Sequence, residues 1–288
     1  MDLSNDNIIH IKKDGIQYIQ FRKLLEYTDI IKHAYSLGID TNFRTAKRNK
    51  QGLNKADQEK AIKSYKNLCD ANGMNYINVV KPIQEHTDEV KIVDRKINDN
   101  IPDFGLEEYS KTDGLITNKS NLILSTTNAD CILLLFFDPV KKVIANVHSG
   151  WRGTLQRISI KTVEKMVQNF NCHPQDIICC ICPSIRKCHF EVKSDVETVF
   201  RKEFQDLQKC MKDIIEEKEP GKTWYIDTVL INKILLKNFG LKEENIIDSG
   251  ICSVCNSELV HSYRVEKEKY GLATALIMIS GLEKKHFK

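Results

Sequence analysis

The chain contains no apolar run approaching the roughly 18 residues that a membrane-spanning helix requires, so no transmembrane segment is expected. Its first residues, MDLSNDNIIHIKKDG, lack both a basic region and an apolar stretch, so no secretory signal is expected and the cytosol is the predicted location. Charge of one sign is also lacking: 43 Lys and Arg against 39 Asp and Glu leave a net +4, spread along the chain. A nucleic-acid binder usually shows a clustered basic face, so neither nucleic acid nor a membrane is expected as a partner. Only 6 prolines and 13 glycines occur in 288 residues, and neither a repeat nor a low-complexity linker divides them. One domain over residues 1–288 is the expected organisation, as a monomer or weak homo-oligomer. Cysteine, by contrast, is plentiful. Ten cysteines without a secretory signal point to free thiols or metal ligands rather than to a disulfide framework.

Short apolar runs alternate with amphipathic stretches, which predicts a mixed α+β architecture. Strands are expected at 16–21, 76–82, 122–126, 131–137, 143–148, 177–181 and 272–279, where Ile, Val and Leu are bounded by Asp, Asn, Gly or Pro. Helical spacing from Leu155 to Phe170 begins right after Gly153-Thr154. A second helix should carry Val196, Val199, Phe200, Phe204, Leu207, Met211 and Ile214 on one face, opened by a capping box at Ser194 and Glu197. A third should start near Asp227 and stop at Gly240, and a weaker one should span 57–70. Residues 94–112 read as a polar surface loop and 216–222 as a charged connection.

Two of these runs end on residues that packing does not demand. Cys131, preceded by Asp130, heads ILLLFF, and His148 closes the next run before SGWRGT. A lone cysteine is most simply a small buried hydrophobe. If the runs pair as a hairpin through Asp138-Pro139, however, Cys131 and His148 reach the same sheet edge. A thiolate and an imidazole so placed suit zinc or copper, or a Cys–His dyad. His86 is the leading third ligand by its position after a strand; taken alone it would be a surface histidine. The turn Ser149-Gly150-Trp151-Arg152-Gly153-Thr154 leads from strand to helix, a geometry that aims backbone N–H groups at an anion, with Arg152 as a bidentate partner. The plainer reading is a tight turn. Cys179, Cys180, Cys182, Cys188-His189 and Cys252-Ser253-Val254-Cys255 form a rival set. Their spacing departs from a zinc motif, so buried thiols are favoured over a structural zinc there. Arg186 and Arg264 are surface charges by default.

The ordered blocks Ala129-Asp130-Cys131, His148-Ser149-Gly150-Trp151-Arg152-Gly153-Thr154, Gln84-Glu85-His86, Thr112-Asp113-Gly114-Leu115-Ile116-Thr117, Pro183-Ser184-Ile185, Phe190-Glu191-Val192 and Ser262-Tyr263-Arg264 resemble those of the YfiH-like, or laccase-domain, proteins. The resemblance runs from about residue 31 to 279. It implies a single-domain α/β/β/α layered sandwich and a catalytic, metal-binding triad of His86, Cys131 and His148, with zinc bound and copper as the alternative. It also implies phosphorolysis of adenosine, inosine and methylthioadenosine, with adenosine deamination as a further activity. Nucleoside and phosphate are the implied partners, held by Arg152, Ser149, Gly150, Arg264 and Asp130. The family's Ser-x-Arg-x-Gly-Gly motif is altered here to Tyr35-Ser36-Leu37-Gly38-Ile39-Asp40, and Arg44 is the nearby replacement for its arginine. Two other readings remain: a cysteine hydrolase using a Cys131/His148 dyad, and a non-catalytic metal- or nucleoside-binding protein. Phenol oxidation through several coppers ranks last, because the eight histidines contain no His-x-His pair.

Overall fold

A computed structural model describes residues 1–45, 55–94, 103–104 and 107–281. Two large sheets stack face to face. The first has the spatial order β1 (Ile8–Lys13), β2 (Ile16–Phe21), β3 (Ile31–Leu37), β16 (Ala273–Ile279), β8 (Ile123–Asn128), β4 (Val79–Lys81) and β6 (Asp103–Phe104). The second has the order β15 (Ile246–Asp248), β11 (Ile178–Ile181), β9 (Ile132–Asp138), β10 (Val143–Ser149), β7 (Gly114–Thr117) and β5 (Val90–Ile92). A small third sheet joins β12 (Glu191–Lys193), β14 (Thr223–Ile226) and β13 (Ile215–Glu219).

The run ILLLFF explains the layering. Side chains alternate across a strand, so an unbroken apolar run must be covered on both faces. Leu133, Leu135 and Phe137 pack with Tyr35, Leu124 and Ala275 between the two sheets. Ile132, Leu134 and Phe136 pack on the opposite side against Ile158, Val163 and Met166, and against Val229 and Leu236. These belong to α4 (Ile158–Phe170) and α7 (Thr228–Phe239). On the far side of the first sheet, Ala34, Ile123 and Leu276 meet Tyr65, Leu68 and Cys69 of α2 (Lys55–Ala71). The result is the expected α/β/β/α sandwich. A helix of one turn, α1 (Arg22–Leu25), follows β2.

Several elements differ from expectation for local reasons. Helical structure begins at once after Gly150 as α3 (Trp151–Leu155), but the chain breaks at Arg157, whose φ is +58°. The guanidinium of Arg157 turns outward to Glu203 and Asp206. The predicted helix through Ile214 is likewise divided into α5 (Ser194–Glu203), a 3-10 segment and α6 (Met211–Ile214). The division wraps Phe200, Phe204, Leu207 and Met211 around the third sheet. Ser194 is the first helical residue and makes no capping hydrogen bond, and Glu197 pairs with Arg201 instead of closing a capping box. Asp227, by contrast, caps α7 through Leu230 N–H at 2.8 Å. The charged connection is a β13–β14 hairpin turning at Gly221. Of the stretch 94–112, residues 95–102 and 105–106 lie outside the described residues; Phe104 within it packs on Tyr65, and Thr112 is buried.

Candidate active site

The β9–β10 hairpin forms as expected, with Ile132 opposite Ser149 and Leu133 opposite His148. Its turn is fixed by Asp138, whose Oδ1 accepts the N–H groups of Val140 and Lys141, each at 2.8 Å. Cys131 therefore stands beside the end of β10. Ile144, Asn146 and His148 share one face of β10, and the last of them emerges where the sheet ends. His86 arrives from the loop after β4 in a left-handed conformation, φ +62°. Its Nε2 lies 3.8 Å from Cys131 Sγ, and its ring stands edge-on to that of His148 at 4.9 Å between centroids. The donor atoms of His86, Cys131 and His148 all lie within 4.8 Å of one another.

The organiser of this cluster is Asp113, which the sequence showed only as part of a motif. Asp113 Oδ1 accepts His86 N–H at 3.1 Å and His148 Nδ1–H at 2.7 Å. Its Oδ2 accepts the N–H groups of Glu85 (3.1 Å) and Thr87 (2.7 Å), and the Thr87 hydroxyl (2.8 Å). One buried carboxylate thus sets the strained loop at His86 and the tautomer of His148, leaving His148 Nε2 to face Cys131. Gln84 ties the same loop to β8 through Thr127, and Asn128 Nδ2 donates to the carbonyls of Cys131 (2.6 Å) and Pro183 (3.0 Å). No spacing rule in the sequence marks Asp113 or Asn128, because their partners are distant in the chain or are main-chain atoms.

Burial pushes the Cys131 thiol up, but the facing His148 and the hydrogen bonds from both imidazoles outweigh it and bring the thiol down. Burial pushes His148 down, while Cys131 and Asp113 pull it up more strongly. Burial works against both charges, and each of the two groups favours the ionised form of the other. A carboxylate on Nδ1 and an open Nε2 also form the arrangement that orients metal-binding histidines. One sulfur and two imidazole nitrogens fit zinc or copper, and three protein donors leave a coordination position free. Gly150 is required here by space: a Cβ at this position would lie 2.8 Å from His86 Cδ2 and 3.2 Å from Cys131 Sγ.

The proposed anion contacts fare differently. Arg152 is exposed and stacks on Trp151, 4.3 Å from the ring centroid. Ser149 is buried and its hydroxyl is engaged with Thr154 at 3.0 Å, so it does not face a ligand. Asp130 is also turned inward: its carboxylate accepts Ser253 Oγ (2.6 Å), Ser262 Oγ (2.7 Å) and Arg264 N–H (2.6 Å). It joins three chain segments behind Cys131 instead of contacting substrate. Arg264 is half-buried, its guanidinium donating to the Glu191 carbonyl at 3.3 Å. Arg44 is pinned to Tyr270, by its ring and its carbonyl. α3 has only five residues, so little helix dipole backs the turn at Gly150. A separate cleft of about 320 Å³, lined by Ser36, Asp40, Phe43, Lys60 and Lys63, contains none of the triad.

Of the rival cysteines, Cys179, Cys180 and Cys182 are buried in the cores, as expected of thiols in an apolar strand. Cys188, His189, Cys252 and Cys255 depart from that expectation and converge at the surface.

Residues 43–280 match the family model described as multi-copper polyphenol oxidoreductase laccase. The chain is 30% identical over 177 residues to purine nucleoside phosphorylase YlmD of Bacillus subtilis, covering 60% of this chain and 62% of that protein. It is 27% identical over 216 residues to mouse purine nucleoside phosphorylase LACC1, covering 74% of this chain and 46% of that protein. The chain therefore spans less than two thirds of either relative. It is also 28% identical over 192 residues to adenosine deaminase RL5 from an unknown prokaryotic organism, covering 67% and 71% of the two chains. The crystal structure of YfiH from Bacillus licheniformis superposes with a TM-score of 0.79 at 21% identity, covering 96% of this chain and all of that one. That likeness establishes the fold.

Proposed function

The chain belongs to the YfiH-like, laccase-domain family, and from that membership we propose that it is a purine nucleoside phosphorylase of adenosine, inosine and S-methyl-5′-thioadenosine, with adenosine deamination as a second activity. The observation that carries the reading is the convergence of His86, Cys131 and His148 around Asp113. In phosphorolysis a phosphate oxygen bonds to the sugar C1′ as the C1′–purine nitrogen bond breaks, and the proton that the phosphate gives up ends on the departing purine. Arg152, two residues past Gly150, and Arg264, whose N–H rests on the neighbour of Cys131, flank the triad and hold the phosphate. His86, Cys131 and His148 hold zinc, with copper as the alternative; when bound, the metal supplies Lewis acidity that eases loss of a proton from water. Asp113 fixes the ring of His148 throughout.

The family description points to copper oxidation, but the described histidines outside the triad supply no further copper set: His173 is exposed and apart, His189 faces three cysteines, and the other three are engaged elsewhere. His33 Nε2 accepts Phe21 N–H, His261 sits between Glu266 and the Thr41 carbonyl, and His10 pairs with Gln17. No many-copper ligand set is left among the described residues.

The test is a phosphorolysis panel over adenosine, inosine, guanosine and methylthioadenosine, with and without phosphate. Phosphate-dependent release of adenine or hypoxanthine, much reduced in Cys131→Ala, is expected. Folded, metal-loaded protein that neither phosphorolyses nor deaminates any of them defeats the reading. The thiolate facing His148 favours one competitor, a cysteine hydrolase with Cys131 as nucleophile. Metal lost from the triad in His86→Ala counts against it; a triad without metal and an acyl-trapped Cys131 count for it.

A further inference from the structure

We propose that Cys188, His189, Cys252 and Cys255 hold a structural zinc ion, separate from the triad and closed to substrate. Their donor atoms are spaced as the corners of a tetrahedron. Cys188 Sγ lies 3.7 Å from Cys252 Sγ and 3.9 Å from Cys255 Sγ. His189 Nδ1 lies 3.2, 3.6 and 3.5 Å from the sulfurs of Cys188, Cys252 and Cys255. With Zn–S of about 2.3 Å and Zn–N of about 2.0 Å, a regular tetrahedron has sulfur–sulfur edges of about 3.8 Å and sulfur–nitrogen edges of about 3.5 Å. The five measured edges fall within a few tenths of an ångström of those values. Ordinary packing does not call for this: thiols are weak hydrogen-bond donors, and three of them gathered on one imidazole nitrogen satisfy little.

The backbone presents the ligands in pairs. Cys188 and His189 lie in a turn closed by the N–H groups of His189 and Phe190, each 2.9 Å from the Arg186 carbonyl. Cys252 and Cys255 lie in a second turn, closed by Asn256 N–H on the Cys252 carbonyl at 3.1 Å. A parallel bridge between Ser184 and Cys252, with Ser253 N–H on the Ser184 carbonyl at 3.0 Å, joins the two turns. The pairs are over sixty residues apart, so sequence spacing alone argued against a site.

Four protein donors close the coordination sphere, which distinguishes a structural zinc from the three-donor triad. The ion clamps the segments after β11 and β15. These are the segments that grip Asp130, through Ile185 N–H on its carbonyl (2.7 Å) and Ser253 Oγ on its carboxylate (2.6 Å). Asp130 immediately precedes Cys131, so the ion braces the wall from which that thiol projects.

The experiment measures metal in the full-length chain carrying Cys131→Ala, which disables the triad and isolates this site. About one equivalent of zinc is expected to remain, and to be lost when Cys255→Ser is added. Cobalt exchanged into the same variant should show the absorption of a tetrahedral thiolate site. Because a ligand variant can fail to fold, a second measurement uses the unmutated chain. Alkylation followed by peptide mass spectrometry should find Cys188, Cys252 and Cys255 protected until a chelator is added. The proposal is overturned if the Cys131→Ala chain holds no metal, if Cys188 and Cys255 react equally with and without chelator, or if Cys188 is recovered as a disulfide with Cys252 or Cys255. Absence of phosphorolysis and deamination in the unmutated chain with this zinc retained counts only against the proposed function.

Discussion

Asp113 grips His148 through a 2.7 Å hydrogen bond from the ring Nδ1 to Oδ1, and the same oxygen accepts the main-chain N–H of His86. Two of the three triad members thus depend on one oxygen. Asp113→Asn cannot reproduce this, because every contact on both oxygens is a donor. Whichever way the amide is placed, its NH2 meets either His148 and His86 or Glu85 and Thr87. Metal affinity of the triad is expected to fall by about 10- to 100-fold, with a stability loss of about 1–3 kcal/mol from the unpaired donors. Competition with a chelator and denaturant unfolding read the two effects. Burial pushes the Asp113 carboxyl up, but His148 and Thr87 more than offset this and leave it below its ordinary value. Its contribution is therefore full above the unfolded value of about 3.9 and fades as pH falls through the lower folded one.

Gly150→Ala separates the site from the fold. Gly150 has φ −64°, a conformation open to any residue, so backbone strain is not at issue. The added methyl would press on His86 Cδ2 at 2.8 Å and Cys131 Sγ at 3.2 Å. The variant is expected to lose about 1–3 kcal/mol in thermal unfolding as the His86 loop yields, while the proposed phosphorolysis falls about tenfold or more. Unchanged activity would show that the triad tolerates displacement and does not act as a unit.

The layered fold was legible because β9 and β10 announce themselves. An unbroken run such as ILLLFF can only be a strand covered on both faces or a helix core, and Asp138-Pro139 decides for a hairpin. Short strands such as β5 (Val90–Ile92), β7 and β15 were not legible; each has three or four residues and takes its place from neighbours. The triad was legible as residues out of place at strand ends. Its support was not, since Asp113 acts through main-chain N–H groups that any residue offers. The expected role of Asp130 toward substrate fails for a related reason: its left-handed backbone, φ +83°, turns the carboxylate into the protein.

Asn146 shows how much of the inter-sheet register is carried by one polar side chain. It sits in the middle of VIANVHS, fully buried, and its Nδ2 donates to the carbonyls of Leu124 (2.9 Å) and Ala275 (2.8 Å) in the opposite sheet. Its Oδ1 accepts the Thr126 hydroxyl. Asn146→Leu keeps the branched heavy-atom skeleton but strands two carbonyls and a hydroxyl in an apolar layer. A loss of about 2–4 kcal/mol is expected from these groups together, measured as a lower urea midpoint with an unchanged slope. Asn146→Asp should be worse, because the new carboxylate would face both carbonyls. A neutral result for Asn146→Leu would mean that the two sheets are held by apolar contacts alone.

The last prediction concerns the thiol itself. Burial drives the Cys131 thiol up, and the opposing His148 charge with the hydrogen bonds from His148 and His86 brings it to about 6. The thiolate is the reactive form, so it is present above that pH and lost below it. In metal-free protein the alkylation rate of Cys131, followed by peptide mass spectrometry, should therefore rise through a midpoint near 6 rather than near the ordinary value of about 8.5. His148→Gln removes the stabilising charge and leaves the burial, so its midpoint should move above the ordinary value. Loading with zinc should suppress alkylation across the whole range, since the lone pair is then committed to the metal. A midpoint at or above 8.5 in the parent protein would show that His148 is neutral and that no thiolate–imidazolium pair precedes metal binding.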